Sequence, residues 1–281
     1  MEESINAPVI HDQAQEQPPP WEWLPVVALL GGTWAFTPSL QALPWPTLAA
    51  MGGLVIGGWI PFWRAVRQTD WATPLSAWRA WEDRAPLAPW PYLQPGTPGA
   101  ALHHSLEQAR SWWKTVGKHT LAVSLRQATT AFCLSILLSI LLGRTVILLT
   151  ILLATWVQLS ALWQSGQRDR QVRGSAMVLV GIPWMLGATL GGGDIKLPAL
   201  SALALVLLTG LFTRRSLWAI AGPILAAGFL IWQAHPMAAG WIILLALPGM
   251  SALLRDPEGT HYHKSIFPWL LIMILCMAGV L

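Results

Sequence analysis

Charge is what this sequence has least of. Asp, Glu, Lys and Arg make up 11% of its 281 residues, where a soluble domain carries about 25%. Thirty charged side chains cannot cover a compact globule of this length. That scarcity excludes a cytosolic enzyme, a disordered chain and a nucleic-acid-binding domain, despite a net charge of +4 and a pI near 9.5. Cysteine is nearly absent as well. Cys133 and Cys276 both fall inside apolar runs, so neither a disulfide framework nor a C-x-x-C metal site is available. No G-x-S-x-G, P-loop or dinucleotide fingerprint occurs. A secretory leader is not evident either: residues 1–20 are acidic, polar and proline-rich, without a basic start.

What the sequence has in excess is apolar surface. Hydrophobic residues reach 54%, mean hydropathy is +0.50, and there are 19 Trp. Apolar side chains in that proportion face lipid, and Trp favours the headgroup region at each membrane crossing. The expected class is an all-α, polytopic transmembrane helical bundle. Residues 1–21 are expected as a disordered cytoplasmic tail and 22–281 as a single membrane domain.

Runs long enough to cross about 30 Å of hydrocarbon at 1.5 Å per residue fall at 22–41, 46–63, 121–142, 145–163, 175–191, 197–212, 216–233, 238–254 and 265–281. The turns between them carry helix breakers or charge, as in LPWP, GR, TRRS and QAHP. Only 64–120 forms a long extramembrane stretch. With nine spans, fifteen of the seventeen Lys and Arg fall on one side, leaving Arg144 and Lys196 on the other. The positive-inside rule then sets the N-terminus in the cytoplasm and the C-terminus outside, in a plasma (inner) or photosynthetic membrane. Anionic lipid accounts for the basic balance without nucleic acid.

The loop 64–120 is expected to lie on the membrane face. It holds six Trp and seven Lys or Arg, and its flanks, TPLSAWRAWEDR and AALHHSLEQARSWWKTVGKH, look helical. Trp71, Trp78, Trp81, Trp112 and Trp113 are its candidate partner-docking residues, since Trp and Arg dominate interface hot spots. A membrane cap and a lid over a ligand cavity are the other readings of the same loop.

Acidic chemistry has little to work with. Of thirteen carboxylates, eight follow Glu22: Asp70, Glu82, Asp83, Glu107, Asp169, Asp194, Asp256 and Glu258. None of these pairs at D-x-x-D or D-x-x-x-D spacing, and Mg²⁺ needs clustered oxygen ligands. Asp194, in LGGGDIKLPAL, resembles the G-x-G-D element of prepilin-peptidase-type aspartyl proteases. Its nearest partner, Asp169, falls on the opposite membrane face. Adjacent His103 and His104 point about 100° apart on a helix, and His261 and His263 lack a firm third ligand. No metal site is expected. His235, beside Pro236 in a turn, is a candidate pigment or haem ligand. Arg168, Arg170 and Arg173, in SGQRDRQVRG, are candidates for a ligand or headgroup phosphate.

The layout of nine spans with a long second-to-third loop resembles the UbiA-type intramembrane prenyltransferase superfamily. Two stretches add to it. SALWQSGQRDRQVRGSAMVLVGIPWMLGATLGG (160–192) looks like that family's aromatic-ended fourth span, basic loop and glycine-rich fifth span, with Trp163 where the family often has Tyr. ALPGMSALLRDPEGTHYHKSIFPWLLIMIL (246–275) is similar to its last two spans. The resemblance implies a helical bundle with a lipid-facing cavity. The family's first aspartate-rich motif, N-D-x-x-D-x-x-x-D, meets PFWRAVRQTDWATPL here, with Asp70 alone, and the second meets TRRS. Those aspartates carry the two Mg²⁺ that ionise the prenyl diphosphate, so no catalytic residue transfers.

The resulting expectation is a non-catalytic membrane protein: an accessory or assembly subunit of a bioenergetic or photosynthetic complex, or a binder of a quinone, prenyl lipid or pigment. Its expected partners are membrane lipid and other membrane-protein subunits. An active prenyltransferase using Asp70 and Asp83 is the rival reading. A transporter is disfavoured, because no charged residue sits mid-span.

Overall fold

A computed structural model of the chain describes residues 20–37, 45–69, 74, 78, 97–164, 175–191, 195–213, 218–255 and 262–281. Among these, nearly every residue is helical and no strand occurs, as the hydropathy pattern dictates. A 3₁₀ turn, Pro20–Trp23, leads into α1, Leu24–Phe36. Helix α2 runs through Trp45–Gly53, a π-helical stretch Leu54–Trp59, and Ile60–Gln68. Helix α3 is Pro98–Trp112, continued by a π stretch Trp113–Gly117 and a last turn Lys118–Thr120. Then come α4, Ala122–Leu142, and α5, Arg144–Gln164. Helix α6 joins a π stretch Met177–Gly181 to Ile182–Ala188. The chain ends with α7 (Lys196–Phe212), α8 (Trp218–Trp232), α9 (Pro236–Arg255) and α10 (Tyr262–Val280).

Among the described residues, three helical stretches are long and apolar enough to cross a membrane: Trp45–Arg67, Ala122–Leu142 and Arg144–Ala161. Six shorter apolar helices accompany them, at Leu24–Phe36, Met177–Ala188, Lys196–Phe212, Trp218–Trp232, Pro236–Ala252 and Ser265–Val280. Each of the nine expected segments therefore falls on an apolar helix. The short ones stop below full span length: the 13 residues of α1 rise only about 20 Å. The expected tail falls outside the described residues as far as residue 19.

Proline explains two of the π stretches. A proline inside a helix drives its ring into the carbonyl four residues back. For Pro61 that carbonyl belongs to Gly57, and for Pro183 to Leu179; both lie inside the widened turns. Widening the helix by one residue relieves the clash without ending the helix.

The helices pack as two joined groups. Helices α6, α7, α8, α9, α10 and α1 follow one another round a closed circuit, and α2, α4 and α5 form the second group. Leu24, Trp184, Leu205, Phe212, Leu230, Ile242 and Met273 belong to the first core. Leu54, Trp59, Val146, Leu153, Ile182 and Leu186 belong to the second, which α1 joins through Leu29. Helices α1 and α6 contribute to both, so they are the seam. Lipid-type surface covers the outside: Leu141 is 82% exposed and Leu148 67%. In water such surface aggregates; in hydrocarbon it is at no disadvantage.

Turns are chosen by backbone chemistry. Gly143 closes α4 at φ 109°, a left-handed geometry that a side chain resists, and Arg144 starts α5 at once. After α8, Ala234 takes φ 62°. Its N–H donates to the Ile231 carbonyl at 2.9 Å, and the His235 N–H to that of Leu230 at 2.8 Å. This is a Schellman cap built without glycine. Pro236 then opens α9.

Candidate functional site

The C-terminal third of α2 gathers the polar chemistry of the described chain. Gly57, Pro61, Arg64 and Ala65 recur at intervals of four, three and one, which keeps them on one face of the helix. That face meets Gln127, Thr130, Ala131 and Leu134 of α4 across an open groove of about 450 Å³. Gly57 has no side chain, and Pro61 has a short one, so α2 leaves the floor hollow. Among the described residues lining the groove, Arg64 carries the one formal charge. The Thr130 hydroxyl donates back to its own helix, to the Arg126 and Gln127 carbonyls at 2.9 and 3.0 Å. Its oxygen can therefore only accept from a ligand.

One turn on, Arg67 does structural work. Its Nη1 donates to Ser175 Oγ at 3.4 Å, and its guanidinium lies 5.0 Å from the Trp63 ring centroid. The pair binds the end of α2 to the start of α6 and combines a hydrogen bond with a cation–π contact.

Deeper in the same helix group a chain of hydroxyls crosses three helices. The Trp59 indole donates to Thr150 Oγ1 at 3.1 Å. Thr150 and Ser139 share a 2.6 Å hydrogen bond. Ser139 and Ser135 also stand within reach of the Ser135 and Ala131 carbonyls, at 2.6 and 2.8 Å. All four side chains are buried, so each bond is made where water cannot replace it. In the other group, the Trp184 indole donates to Ser201 at 2.9 Å, and the Tyr262 hydroxyl to the Phe212 carbonyl at 2.8 Å. Burial pushes the Tyr262 phenol up to about 12.

Helix α3 carries a separate, surface feature. Leu102, Leu106 and Trp113 are 64%, 60% and 38% exposed. They follow at spacings of four and seven, and so form one apolar stripe. Arg110 and Lys114 flank it, the former 3.7 Å from Glu107. Thr97 caps the helix by accepting from the Ala100 N–H at 3.2 Å, and only Leu121 separates α3 from α4. The two tryptophans expected to dock together stay in ring contact, centroids 6.4 Å apart and tilted by 48°, but differ in surroundings. Trp112 meets Trp78 edge-to-face at 5.7 Å and is half-buried; Trp113 packs against Trp112 and is 38% exposed.

The remaining sequence candidates are scattered or lie outside the described residues. Arg168, Arg170 and Arg173 lie outside them, as do Trp71, Trp81, Asp70, Glu82, Asp83, Asp169, Asp194, Asp256, Glu258 and His261. His235 is half-buried in the α8–α9 turn. His103 and His104 sit on α3, and among the described residues no three His, Cys, Asp or Glu converge on a metal-sized point. The groove itself is absent from the sequence expectations. Its signal was half legible: Gly57, Pro61 and Arg64 are spaced for one helix face, whereas the opposing α4 wall lies about seventy residues away. No protein-family model, curated protein or solved structure matches the chain.

Proposed function

We propose that this chain is a nine-span integral membrane protein with a UbiA-like bundle that binds an amphiphilic lipid and serves as an accessory subunit, without transferring prenyl groups. In this reading the N-terminus and the basic loops are cytoplasmic and the C-terminus is outside, in a plasma (inner) or photosynthetic membrane. Among the described residues, the three span-length and six shorter apolar helices at the expected positions support the layout, and so does the fifteen-to-two split of Lys and Arg.

One observation carries the reading: the end of α2 is basic and opens on a groove with a polar end and an apolar end. A prenyltransferase of the resembled family would set metal-holding carboxylates there. This chain sets Trp63, Arg64 and Arg67, with Arg67 committed to Ser175 and Trp63. Guanidinium groups repel Mg²⁺ and offer it no oxygen ligand, so these residues do not fit the metal. They do fit an amphiphile, whose polar end meets Arg64 and whose tail follows Gly57, Pro61 and Leu134. Binding without turnover is what such a set of residues can do.

The test is to purify the intact chain in mild detergent, supply prenyl diphosphate and Mg²⁺ with an aromatic acceptor, and analyse all co-purifying molecules. No diphosphate release above background and a retained lipid are expected. Turnover abolished by Asp70→Ala or Asp83→Ala would replace this reading with that of an active prenyltransferase.

A further inference from the structure

We infer that the α7–α8 side of the bundle presents a lipid-facing belt about 21 Å high, against about 31 Å for α4 and α5, and that the protein thins the bilayer there and gathers phospholipids with short acyl chains. This rests on the membrane-spanning reading above and names the lipid that one face selects.

The first observation is a row on α8. Trp218, Leu225 and Trp232 follow at spacings of seven, so they share one face, and all three are exposed. Gly228 opens on the same side, with nothing within 4 Å of an added Cβ, while Gly222, Pro223, Ala226 and Leu230 are buried behind. Exposed Trp marks the headgroup level. The rise from Trp218 to Trp232 is about 21 Å, where an ordinary hydrocarbon core is about 30 Å thick. Helix α1 repeats the pattern. Exposed Trp23, Leu30 and Trp34 follow at seven and four, which sets the two tryptophans about 17 Å apart along the axis.

The second is the chemistry at the helix ends. Helix α7 has 17 residues and α8 has 15. The sequence leaves no room for more: Lys196 opens α7, Arg214 and Arg215 separate the two helices, and Gln233 and His235 follow α8. Charged and polar side chains at those points end the apolar stretch. The third is contrast. Helices α4 and α5 have 21 residues each, and exposed Leu137, Leu141 and Leu148 clothe them. A long helix fits a thin bilayer by tilting, but tilting only lowers a short one, so the lipid must come to it. Because α7 and α8 belong to one helix group and α4 and α5 to the other, the belt changes height around the molecule.

The experiment reconstitutes the intact chain in phosphatidylcholine vesicles and measures quenching of a single bimane dye by brominated lipids. The probes are dimyristoleoyl, dioleoyl and dierucoyl phosphatidylcholine, each brominated at its double bonds and each competing with plain dioleoyl lipid. The dye sits either on Leu225→Cys, with Cys133→Ser and Cys276→Ser, or on native Cys133, exposed on α4, with Cys276→Ser. Mismatch costs are modest, so the expected preference at Leu225→Cys is about threefold for the dimyristoleoyl over the dierucoyl lipid. At Cys133 no preference for the shorter lipid is expected. Trp218→Leu together with Trp232→Leu raises the apolar belt and should move the Leu225→Cys preference toward parity. Trp218→Leu alone, which leaves the Phe229–Trp232 ring contact in place, should act in the same direction.

Equal preferences at the two dyes, or a preference for the longer lipid at Leu225→Cys, would overturn the thin belt and leave the membrane reading standing. Quenching at Cys133 but not at Leu225→Cys would show protein, such as a second copy, on the α8 face and overturn the inference too. A preference unmoved by both Trp variants would overturn the tryptophan pair as its ruler. Quenching at neither dye would remove the membrane-spanning reading itself.

Discussion

Gly32 of α1 lies so close to the Trp184 carbonyl oxygen of α6 that a Cβ there would overlap it, and Gly187 stands in the same relation to the Leu29 carbonyl. Two helices whose backbones touch at glycine on both sides are held by close van der Waals packing, the main attraction available to helices in lipid. The seam joins both cores. Overpacking costs about 1–3 kcal/mol in general, and here the obstacle is backbone, which cannot swing aside. Gly32→Ala should therefore lose about 3 kcal/mol, read as a lowered thermal midpoint in detergent. Gly228→Ala is the control, because nothing lies within 4 Å of its added Cβ. Equal midpoints for the two variants would show that the seam does not hold the fold.

The hydroxyl chain makes a second prediction. Thr150 accepts from Trp59 and shares a hydrogen bond with Ser139. Thr150→Val keeps its shape and removes both partners, leaving a buried indole N–H unpaired at a cost of about 1–3 kcal/mol. A double-mutant cycle of Ser139→Ala with Thr150→Val should give a coupling of about 0.6 kcal/mol, as between-helix hydrogen bonds in membrane proteins average. Strict additivity would mean the 2.6 Å contact contributes nothing.

Helix positions were legible in the sequence because a membrane-spanning backbone must satisfy its own polar groups, so an apolar run is obliged to be helical. Ala122–Leu142 and Arg144–Gln164 begin and end within a residue of the apolar runs at 121–142 and 145–163. Helix pairing was not legible. An inward face is usually marked by polarity contrast, and these helices are apolar all round; what marks the inward face is smallness, as at Gly32, Gly187 and Ala28. The two adjacent tryptophans illustrate a finer limit. In the sequence Trp112 and Trp113 look equivalent, but in the fold Trp112 meets Trp78 edge-to-face while Trp113 lies against Trp112 and stays more exposed.

The exposed stripe on α3 should lie in the headgroup plane. Leu102, Leu106 and Trp113 offer apolar surface, and Arg110, Lys114 and Lys118 each add about 1 kcal/mol on an anionic membrane. With Cys133 and Cys276 replaced by Ser, an environment-sensitive dye on Leu102→Cys should shift to the blue when the chain is reconstituted in anionic vesicles. A dye on His104→Cys, about 160° away by helix geometry, should not. If both report water, the stripe faces a protein partner instead of lipid.

Tyr262 should titrate late. Its phenol is buried against the Phe212 carbonyl, ahead of the apolar stretch Ser265–Val280, and its pKa is pushed up to about 12. Tyr92→Phe leaves Tyr262 as the sole tyrosine, so phenolate absorbance reports it alone. A raised acid pKa means the folded state favours the neutral form. That stabilisation is complete below the unfolded value near 10 and is lost between pH 10 and 12. A midpoint near 10 in the folded protein would show that the hydroxyl is wet.

The proposed topology can be tested at two positions outside the described residues, Arg168 and Asp194. One span separates them, so nine crossings place 168 in the cytoplasm and 194 outside. Arg144 and Lys196 are the only basic residues assigned to the outer side, so the assignment rests on how few cations that side tolerates. In a background with Cys133→Ser and Cys276→Ser, a membrane-impermeant thiol reagent added to intact cells should label Asp194→Cys and spare Arg168→Cys. Opening the membrane should make Arg168→Cys reactive. Labelling of both from one side would mean that α6 does not cross. The crossing count would then be even, and the fifteen-to-two split of basic residues would no longer describe this protein.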